Sequence, residues 1–595
     1  MKLLTSSLLS IARGAHGVQI TRLGTRACAT PYIRTITTES RSSSSASTVP
    51  TRLECGSEKY ILESPFPDMA LPYSPFHTKI FQDSHKWSHK TAVECGLTGR
   101  SYTYGQLVDA VMKFGGMIQQ LKASGNIATD NGNTTVALLS PNCPEYPIMF
   151  FGSAAVGATP TTINSTYTSE EVANQLADSD AVMLVVDEVL EPLANAALKS
   201  LQRDIPVVVN GVSTCGRPNL RDIIADPNTQ FARHVDFPRD TLVCLPYSSG
   251  TTGKPKGVCL SHYAFSTAIT IFHNQYTLNI KKAEGEHQDV LMGLLPFFHI
   301  YGMMVIMSSG LANGAKIVTL PKFDPKSYVN VMKNHKISSL HLVPPLLKFT
   351  AMSPMVTPAD LGRVHSVLCG AAPVPTTAAT LLREKALNPI HFQEGYGLTE
   401  TLCSHMTPLN DDKLGYSGKL IPNVRAKVLD LESGATLPAG VPGELYLHTP
   451  AIMLGYHKNQ QATREVIDED GWFRTGDIVA YDEEGSFTVI DRIKELIKVK
   501  GLQVSPSELE DVLLRHPGVA DVGIVGVEDE QAGELPRAYV VPRGEVTQQE
   551  LNAFMKSRLA PHKQLDGGIR FVEQLPKNAT GKLIRRELKK MAQQD

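Results

Sequence analysis

The chain has 595 residues, 42% of them apolar and 19% charged, with a formal net charge of −2. That near-neutral balance offers no global electrostatic reason to bind nucleic acid or an anionic membrane, and the apolar fraction is that of a soluble globular protein. One hydrophobic core rarely holds such a length, so at least two domains are expected. The nine cysteines include no Cys-x-x-Cys pair, which indicates neither a zinc ribbon nor a disulfide scaffold and points to a reducing compartment.

The first residues differ from the rest. No acidic residue precedes Glu39, whereas Lys2, Arg13, Arg22, Arg26 and Arg34 are basic, Leu4, Leu8 and Ile11 recur at helical spacing, and a serine-rich run follows at 40–47. A basic, hydroxylated, acid-poor start resembles a mitochondrial transit peptide, so residues 1–50 are expected to be a transit or disordered segment and the mature protein to sit in the mitochondrial matrix, with the cytoplasm as the alternative. Thr5, Ser6, Ser7 and Arg13 interrupt the apolar run that a secretory signal needs. The C-terminal Ala592-Gln593-Gln594-Asp595 is not the Ser-Lys-Leu peroxisomal address.

From Tyr60 onward, short apolar runs at 134–139, 181–186, 206–209 and 241–245 alternate with helix-length stretches, and further strands are expected at 316–320, 339–343, 365–369 and 390–393. This rhythm predicts α/β layers with largely parallel sheets. The almost wholly apolar stretch 290–307 is nearly long enough to span a membrane, but Pro296 and His299 interrupt it and no basic flank anchors it. It reads instead as a buried strand, a turn at Pro296 and a buried helix; no transmembrane segment is expected. After Arg425 shorter strands, at 426–429, 443–448 and 487–490, alternate with Gly and Pro turns, predicting a β-rich subdomain. A boundary at 491–494 leaves a compact small α+β domain at 494–595, opened by a helix with Ser505 as N-cap, Pro506 at its first position and Glu508 after them.

The chemistry concentrates in Tyr247-Ser248-Ser249-Gly250-Thr251-Thr252-Gly253-Lys254-Pro255-Lys256-Gly257, which follows an apolar strand. Glycines let backbone N–H groups curl round an anion, while hydroxyls and lysines add donors and charge. This is phosphate-handling chemistry, yet it is not a Walker A loop, because Lys254 precedes Pro255; no Gly-x-Gly-x-x-Gly occurs to support a dinucleotide site.

The segment resembles the ATP-phosphate loop of the adenylate-forming superfamily, which comprises acyl- and aryl-CoA synthetases, firefly-type luciferases and peptide-synthetase adenylation domains. Further elements of that family stand in its order: Pro296-Phe297-Phe298-His299-Ile300-Tyr301, Gly370-Ala371-Ala372-Pro373, Glu394-Gly395-Tyr396-Gly397-Leu398-Thr399-Glu400 and Phe473-Arg474-Thr475-Gly476-Asp477. Asp491-Arg492-Ile493-Lys494-Glu495-Leu496-Ile497-Lys498-Val499-Lys500-Gly501 and Pro576-Lys577-Asn578-Ala579-Thr580-Gly581-Lys582 complete the set. The nearest likeness is to 4-coumarate–CoA ligases.

The resemblance implies a large N-terminal adenylation domain (60–493), made of two αβ-layered subdomains and a β-rich one, hinged to a mobile lid (494–595). It implies ATP, Mg2+ and coenzyme A as reactants or cofactors and a small-molecule carboxylate as partner. The implied reaction joins the carboxylate to AMP with loss of pyrophosphate, then passes the acyl group to coenzyme A. The acid would be a medium-chain fatty acid or an aryl, cinnamate-type acid. A luciferase-like monooxygenase acting through an adenylate, or a nucleotide-binding pseudoenzyme, is the alternative. By the same resemblance Lys582, Lys498 and His299 are catalytic. ATP or AMP would be held by Ser248, Ser249, Gly250, Thr251, Thr252, Lys256, Gly370, Ala371, Glu394, Gly395, Tyr396, Thr399, Asp477, Arg492 and Gln503, and the metal by Glu400 with Thr251. The acyl pocket would be lined by Tyr301, Val305, Ser366, Cys369, Cys403 and Ser404, while Lys494, Lys500 and Gly501 would serve the hinge and coenzyme A. Where plant ligases follow Thr-Glu with Ala-Gly-Pro-Val, this chain has Thr401-Leu402-Cys403-Ser404, a departure that loosens the link to hydroxycinnamates.

Overall fold

The computed structural model describes residues 60–127, 134–248, 255–500, 502–578 and 581–594. The segment read as a transit peptide, the loop residues Ser249, Gly250, Thr251 and Thr252, and Gly501 lie outside them.

Among the described residues, Ala158–Ile163, Thr134–Leu139, Met183–Asp187 and Val207–Asn210 are neighbours in that order in a wholly parallel sheet. Thr134–Leu139 is buried along its whole length, which is why it lacks the alternation of a strand with one wet face. The helices Ser169–Asp178 and Glu191–Leu201 supply Val172, Leu176, Ala194 and Leu198 to the same core. The first of these begins at a capping box, where Thr168 accepts from the Glu171 N–H and Glu171 bonds back to the Thr168 N–H.

A larger sheet places Thr91–Cys95, Lys316–Thr319, Val290–Gly293, Ser339–Leu342, Ser366–Gly370 and His391–Leu398 parallel in that spatial order. Ser101–Thr103 closes one edge antiparallel, and Leu402–Met406 with Lys419–Leu420 closes the other. Registered partners in a parallel sheet share a face and side chains alternate along each strand. Leu291, Ile317, Ser339, His341, Ser366 and Leu368 therefore share one face. A Cβ on Gly310 would lie 2.7 Å from Leu291 and 3.4 Å from Ile317, so the helical run through Ser309–Ala312 covers that face.

The apolar stretch 290–307 divides as expected into the strand Val290–Gly293 and a buried helix, but the helix, Tyr301–Ser308, is of π rather than α type. The Ser308 hydroxyl donates to the Met303 carbonyl at 2.7 Å, and a Cβ on Gly302 would stand 2.2 Å from the Pro296 carbonyl oxygen, so only glycine fits where the turn meets the helix. Among the described residues no helix is long and apolar enough to cross a membrane.

Leu62–Glu63, Arg425–Leu429, Gly443–His448, Phe473–Tyr481 and Phe487–Arg492 form the expected β-rich layer, antiparallel throughout. The run at 241–245 was expected among parallel layers; Leu242–Cys244 instead pairs antiparallel with Lys256–Ser261, whose other partners are Gly455–Tyr456 and Tyr247–Ser248. A short apolar run carries no information on the direction of its partner, so the antiparallel pairing leaves no local signal in the sequence.

The small C-terminal domain builds its sheet from Leu502–Val504, Ile497–Val499, Gly533–Pro542 and Val519–Asp529, with Ile569–Phe571 parallel to Gly533–Pro542. It has its own core, including Leu509, Leu513, Ile524, Val540, Leu551 and Ile569. The helix Pro506–Leu514 starts where expected, its Ser505 cap accepting from the Glu508 N–H at 3.2 Å. Asp491, near the end of Phe487–Arg492, accepts from the Ser505 hydroxyl at 2.5 Å and the Ser507 N–H at 3.0 Å, tying this helix to the β-rich layer.

Candidate active site

The hairpin His391–Leu398 and Leu402–Met406 turns at Thr399 and Glu400, which puts Glu400 at the rim of the large sheet with only 8% of its surface exposed. Its Oε1 accepts from the Ser248 hydroxyl and the Tyr456 hydroxyl, each at 3.0 Å; among the described residues Oε2 accepts from none. Lys256 stands opposite Ser248 in the strand pair flanking the phosphate-type loop, and its ammonium lies 4.8 Å over the Tyr456 ring. Tyr456 escaped the sequence reading because nothing local marks it; it arrives by pairing with Val258.

Asp477 and Arg492 are direct partners on adjacent antiparallel strands. The Arg492 guanidinium donates Nε–H to Asp477 Oδ1 at 3.0 Å, and the Tyr396 hydroxyl donates to Oδ2 at 2.6 Å. Charge-assisted bonds from both sides fix a carboxylate that is 2% exposed, and each oxygen retains a lone pair for one further donor. Tyr396 packs edge-on against the His405 ring at 5.4 Å. Gly370 and Gly395 are registered partners, and a Cβ on Gly370 would sit 2.8 Å from the Gly395 carbonyl oxygen. Ala371, next in the chain, takes the left-handed conformation at φ 68°, unusual for a residue with a side chain. Burial pushes the Glu394 carboxyl up to about 7, against the pull of the Gly415 N–H that donates to it at 2.7 Å.

Lys582 lies across this constellation. Its turn is held by its own N–H on Asn578 Oδ1 at 2.9 Å, and Gly581, at φ 78°, lies where a Cβ would meet Pro345 Cγ at 2.8 Å. The turn therefore rests on the helix Pro344–Met352 of the large domain. Burial first, and then the Arg492 guanidinium, lowers the pKa of the Lys582 ammonium, while Glu495 and Asp477 pull the other way; all three side chains lie within electrostatic reach of it. Arg585 binds Glu495 at 2.8 Å and the Ile524 carbonyl at 2.8 Å, and pairs also with Glu510, which ties the helix Arg585–Gln594 to the hinge. The His299 ring is pulled down to about 4 by burial and by Lys582, so it is neutral at physiological pH.

Lys498 and Gln503 do not join that group. They face each other on the hairpin Ile497–Val499 and Leu502–Val504, both exposed, with the Lys498 N–H on Glu534 at 2.8 Å. Lys494 lies in the 3-10 turn Ile493–Glu495 between the two sheets, and Lys500 takes φ 51° with its N–H on the Ala532 carbonyl at 2.7 Å.

The expected acyl-pocket set divides. The Tyr301 hydroxyl donates to the Leu368 carbonyl at 2.9 Å, Val305 is buried in the same helix, and the Ser366 hydroxyl bonds Ser339 at 2.8 Å on the sheet face that this helical run covers. Like Cys403, Cys369 lies within electrostatic reach of the Tyr301 hydroxyl. Three positions beyond Ser366, it faces the opposite side of the strand and registers with Glu394. Ser404 spends its hydroxyl on His405 Nδ1 at 2.9 Å, and the Cys403 thiol reaches the His405 carbonyl at 3.7 Å. The seven described cysteines are all free thiols.

Comparison with known proteins agrees with this geometry. Residues 80–457 match the AMP-binding enzyme family and residues 508–582 its C-terminal domain. A probable 4-coumarate–CoA ligase of Dictyostelium discoideum is 36% identical, covering 88% of this chain and 97% of its own. A 4-coumarate–CoA ligase of Narcissus pseudonarcissus is 33% identical over 89% of this chain and 96% of its own. The crystal structure of ATP-bound MatB from Rhodopseudomonas palustris superposes with a TM-score of 0.77 at 26% identity, covering 87% of this chain and 98% of that one. The chain belongs to the AMP-binding enzymes. Within them it is an acid–thiol ligase of the acyl- or aryl-CoA synthetase type, acting on a small-molecule carboxylate with ATP and coenzyme A.

Proposed function

We propose that the chain activates a medium-chain fatty acid or an aryl, cinnamate-type acid, and that the constellation around Lys582 carries out the first half-reaction. The supporting observation is the convergence of Lys582 with Asp477, Arg492 and His299 across the two domains. A carboxylate oxygen of the acid attacks the α-phosphorus of ATP, a P–O bond forms, and pyrophosphate leaves with the electron pair of the bond that breaks. Both reactants are anions and charge grows on the α-phosphate, so a preorganised ammonium at that point lowers the barrier. Asp477, held from two sides, takes the ribose hydroxyls; Tyr396 and Arg492 keep it in place. The neutral His299 borders the acyl group without adding charge.

Glu400 fits a role toward Mg2+. One carboxylate oxygen is anchored by Ser248 and Tyr456 while the other has no partner among the described residues. The described residues include no cluster of three or more potential metal-ligating side chains, which agrees with a hard cation carried chiefly by the phosphates of ATP. When bound, the cation would neutralise phosphate charge.

In the second half-reaction the coenzyme A thiolate attacks the acyl carbon and AMP departs. Lys498 and Gln503, now on an exposed hairpin, belong to that step and reach the adenylate when the lid turns at Lys494. The purified chain is expected to exchange labelled pyrophosphate into ATP with at least one member of a panel of fatty and aryl acids, and to stop when EDTA removes Mg2+. No exchange with any acid would defeat the reading.

The acid-poor start of the chain supports a mitochondrial address for residues 1–50. A fluorescent protein carrying these residues should co-localise with a mitochondrial dye; diffuse fluorescence would favour the cytoplasm.

A further inference from the structure

Tyr396 reaches Asp477 across a seam, because the two stand in different sheets: Tyr396 in the strand His391–Leu398 of the large sheet, Asp477 in the strand Phe473–Tyr481 of the β-rich layer. Their bond of 2.6 Å therefore depends on how the two layers are set against each other. His405 spans the seam beside that bond. It is the registered partner of Tyr396, and its ring packs edge-on against Tyr396 at 5.4 Å and against Phe487 of the β-rich layer at 4.5 Å. Phe487 is itself pinned to the edge of the large sheet. The Ser417 N–H donates to its carbonyl at 2.7 Å and its own N–H donates to the Gly418 carbonyl at 3.0 Å, just before Lys419–Leu420 pairs with His405 and Met406.

The rings of His405 and Phe487 are both buried. The Ser404 hydroxyl lies 2.9 Å from His405 Nδ1, which fixes the rotation of the ring, while Nε2 is buried and without a partner among the described residues. Burial pushes the pKa of the imidazole down to about 3, so it is neutral at physiological pH. An unpartnered polar atom in a dry interior destabilises the fold, and a leucine here would avoid it. The imidazole supplies what leucine cannot: a flat ring with edge-to-face contacts on two sides, held in one orientation.

We infer that His405 is a positioning residue for nucleotide binding: the stack Tyr396–His405–Phe487 fixes the Tyr396 ring against the β-rich layer, so that its hydroxyl meets Asp477 and holds that carboxylate ready for the ribose. The inference rests on the assignment of Asp477 to the nucleotide and adds to it a residue that acts through Tyr396.

The test is steady-state pyrophosphate exchange by the full chain, with ATP and an acid that the panel identifies varied in turn. His405→Leu is expected to raise the KM for ATP about 3- to 10-fold, the scale of a lost aromatic pair. The kcat and the KM for the acid should stay close to those of the unaltered chain. His405→Phe, which keeps a ring against both neighbours, should restore most of the ATP affinity. In a double-mutant cycle, His405→Leu added to Tyr396→Phe should change the KM for ATP by no more than about 2-fold, because the hydroxyl it positions is already gone. Phe487→Leu cuts the same stack from the other layer and should shift the ATP dependence in the same direction, which decides the matter if His405→Leu does not fold. An unchanged KM for ATP in whichever of the two folds, equal losses for ATP and acid, or full additivity with Tyr396→Phe would overturn the assignment while leaving acid activation standing. Absence of exchange with every acid in the unaltered chain would overturn both.

Discussion

Lys582→Ala is expected to lower the rate of adenylate formation by about 10²–10³, the usual cost of removing one preorganised donor from a site of developing charge. It should leave thioester formation from supplied acyl-adenylate close to normal. The reason lies in the placement of the ammonium: it is half-buried within electrostatic reach of Asp477, Arg492, Glu495 and His299, where incoming carboxylate and α-phosphate would repel each other. Lys498→Ala should do the reverse, sparing pyrophosphate exchange and slowing thioester formation, because Lys498 is exposed on a hairpin that takes no part in the Lys582 group. Half-reaction assays on both variants decide the matter. An equal loss in both half-reactions for both lysines would sink the proposal that one pocket is served in turn by two faces of the lid.

Asp477→Asn should affect both half-reactions, since AMP remains in the site throughout. The substitution removes the charge that Arg492 and Tyr396 hold at 3.0 and 2.6 Å. It also leaves a half-buried guanidinium without its partner. Hydrogen bonds to charged groups contribute about 1.5–3 kcal/mol, so kcat/KM for ATP is expected to fall by roughly 10- to 150-fold. Tyr396→Phe removes only one of the two anchors and should cost about tenfold or less. Steady-state kinetics with ATP varied checks both. A wild-type ATP dependence in Asp477→Asn would remove Asp477 from the nucleotide site.

Much of this was legible in the chain itself because the relevant signals are local. A dense set of glycines, hydroxyls and lysines after an apolar strand announces phosphate chemistry whatever the fold around it. Ser505, Pro506 and Glu508 marked a helix start that the backbone then uses. Pro296 and His299 inside an apolar run separated a buried strand and helix from a membrane span. Other placements carry no local signal. Cys369 sits in a motif adjoining the site, yet strand alternation turns it away from Ser366, and the registered partners of Leu368, His341 and Gln393, come from two other strands. Tyr456 reaches Glu400 from far along the chain through a two-residue strand, too short to be seen as a pattern.

The sequence by itself determined the class of chemistry, the order of the layers and the identity of the charged groups, because these depend on residue type and near-neighbour spacing. Only the tertiary structure decided which of those groups meet. Parallel register set His341 beside Leu368, antiparallel register set Asp477 opposite Arg492, and the seating of the Gly581 turn on Pro345 carried Lys582 to the site while leaving Lys498 outside it. Such contacts join residues widely separated along the chain and depend on which face of a strand or helix each side chain leaves, and a one-residue shift of register would reverse that face.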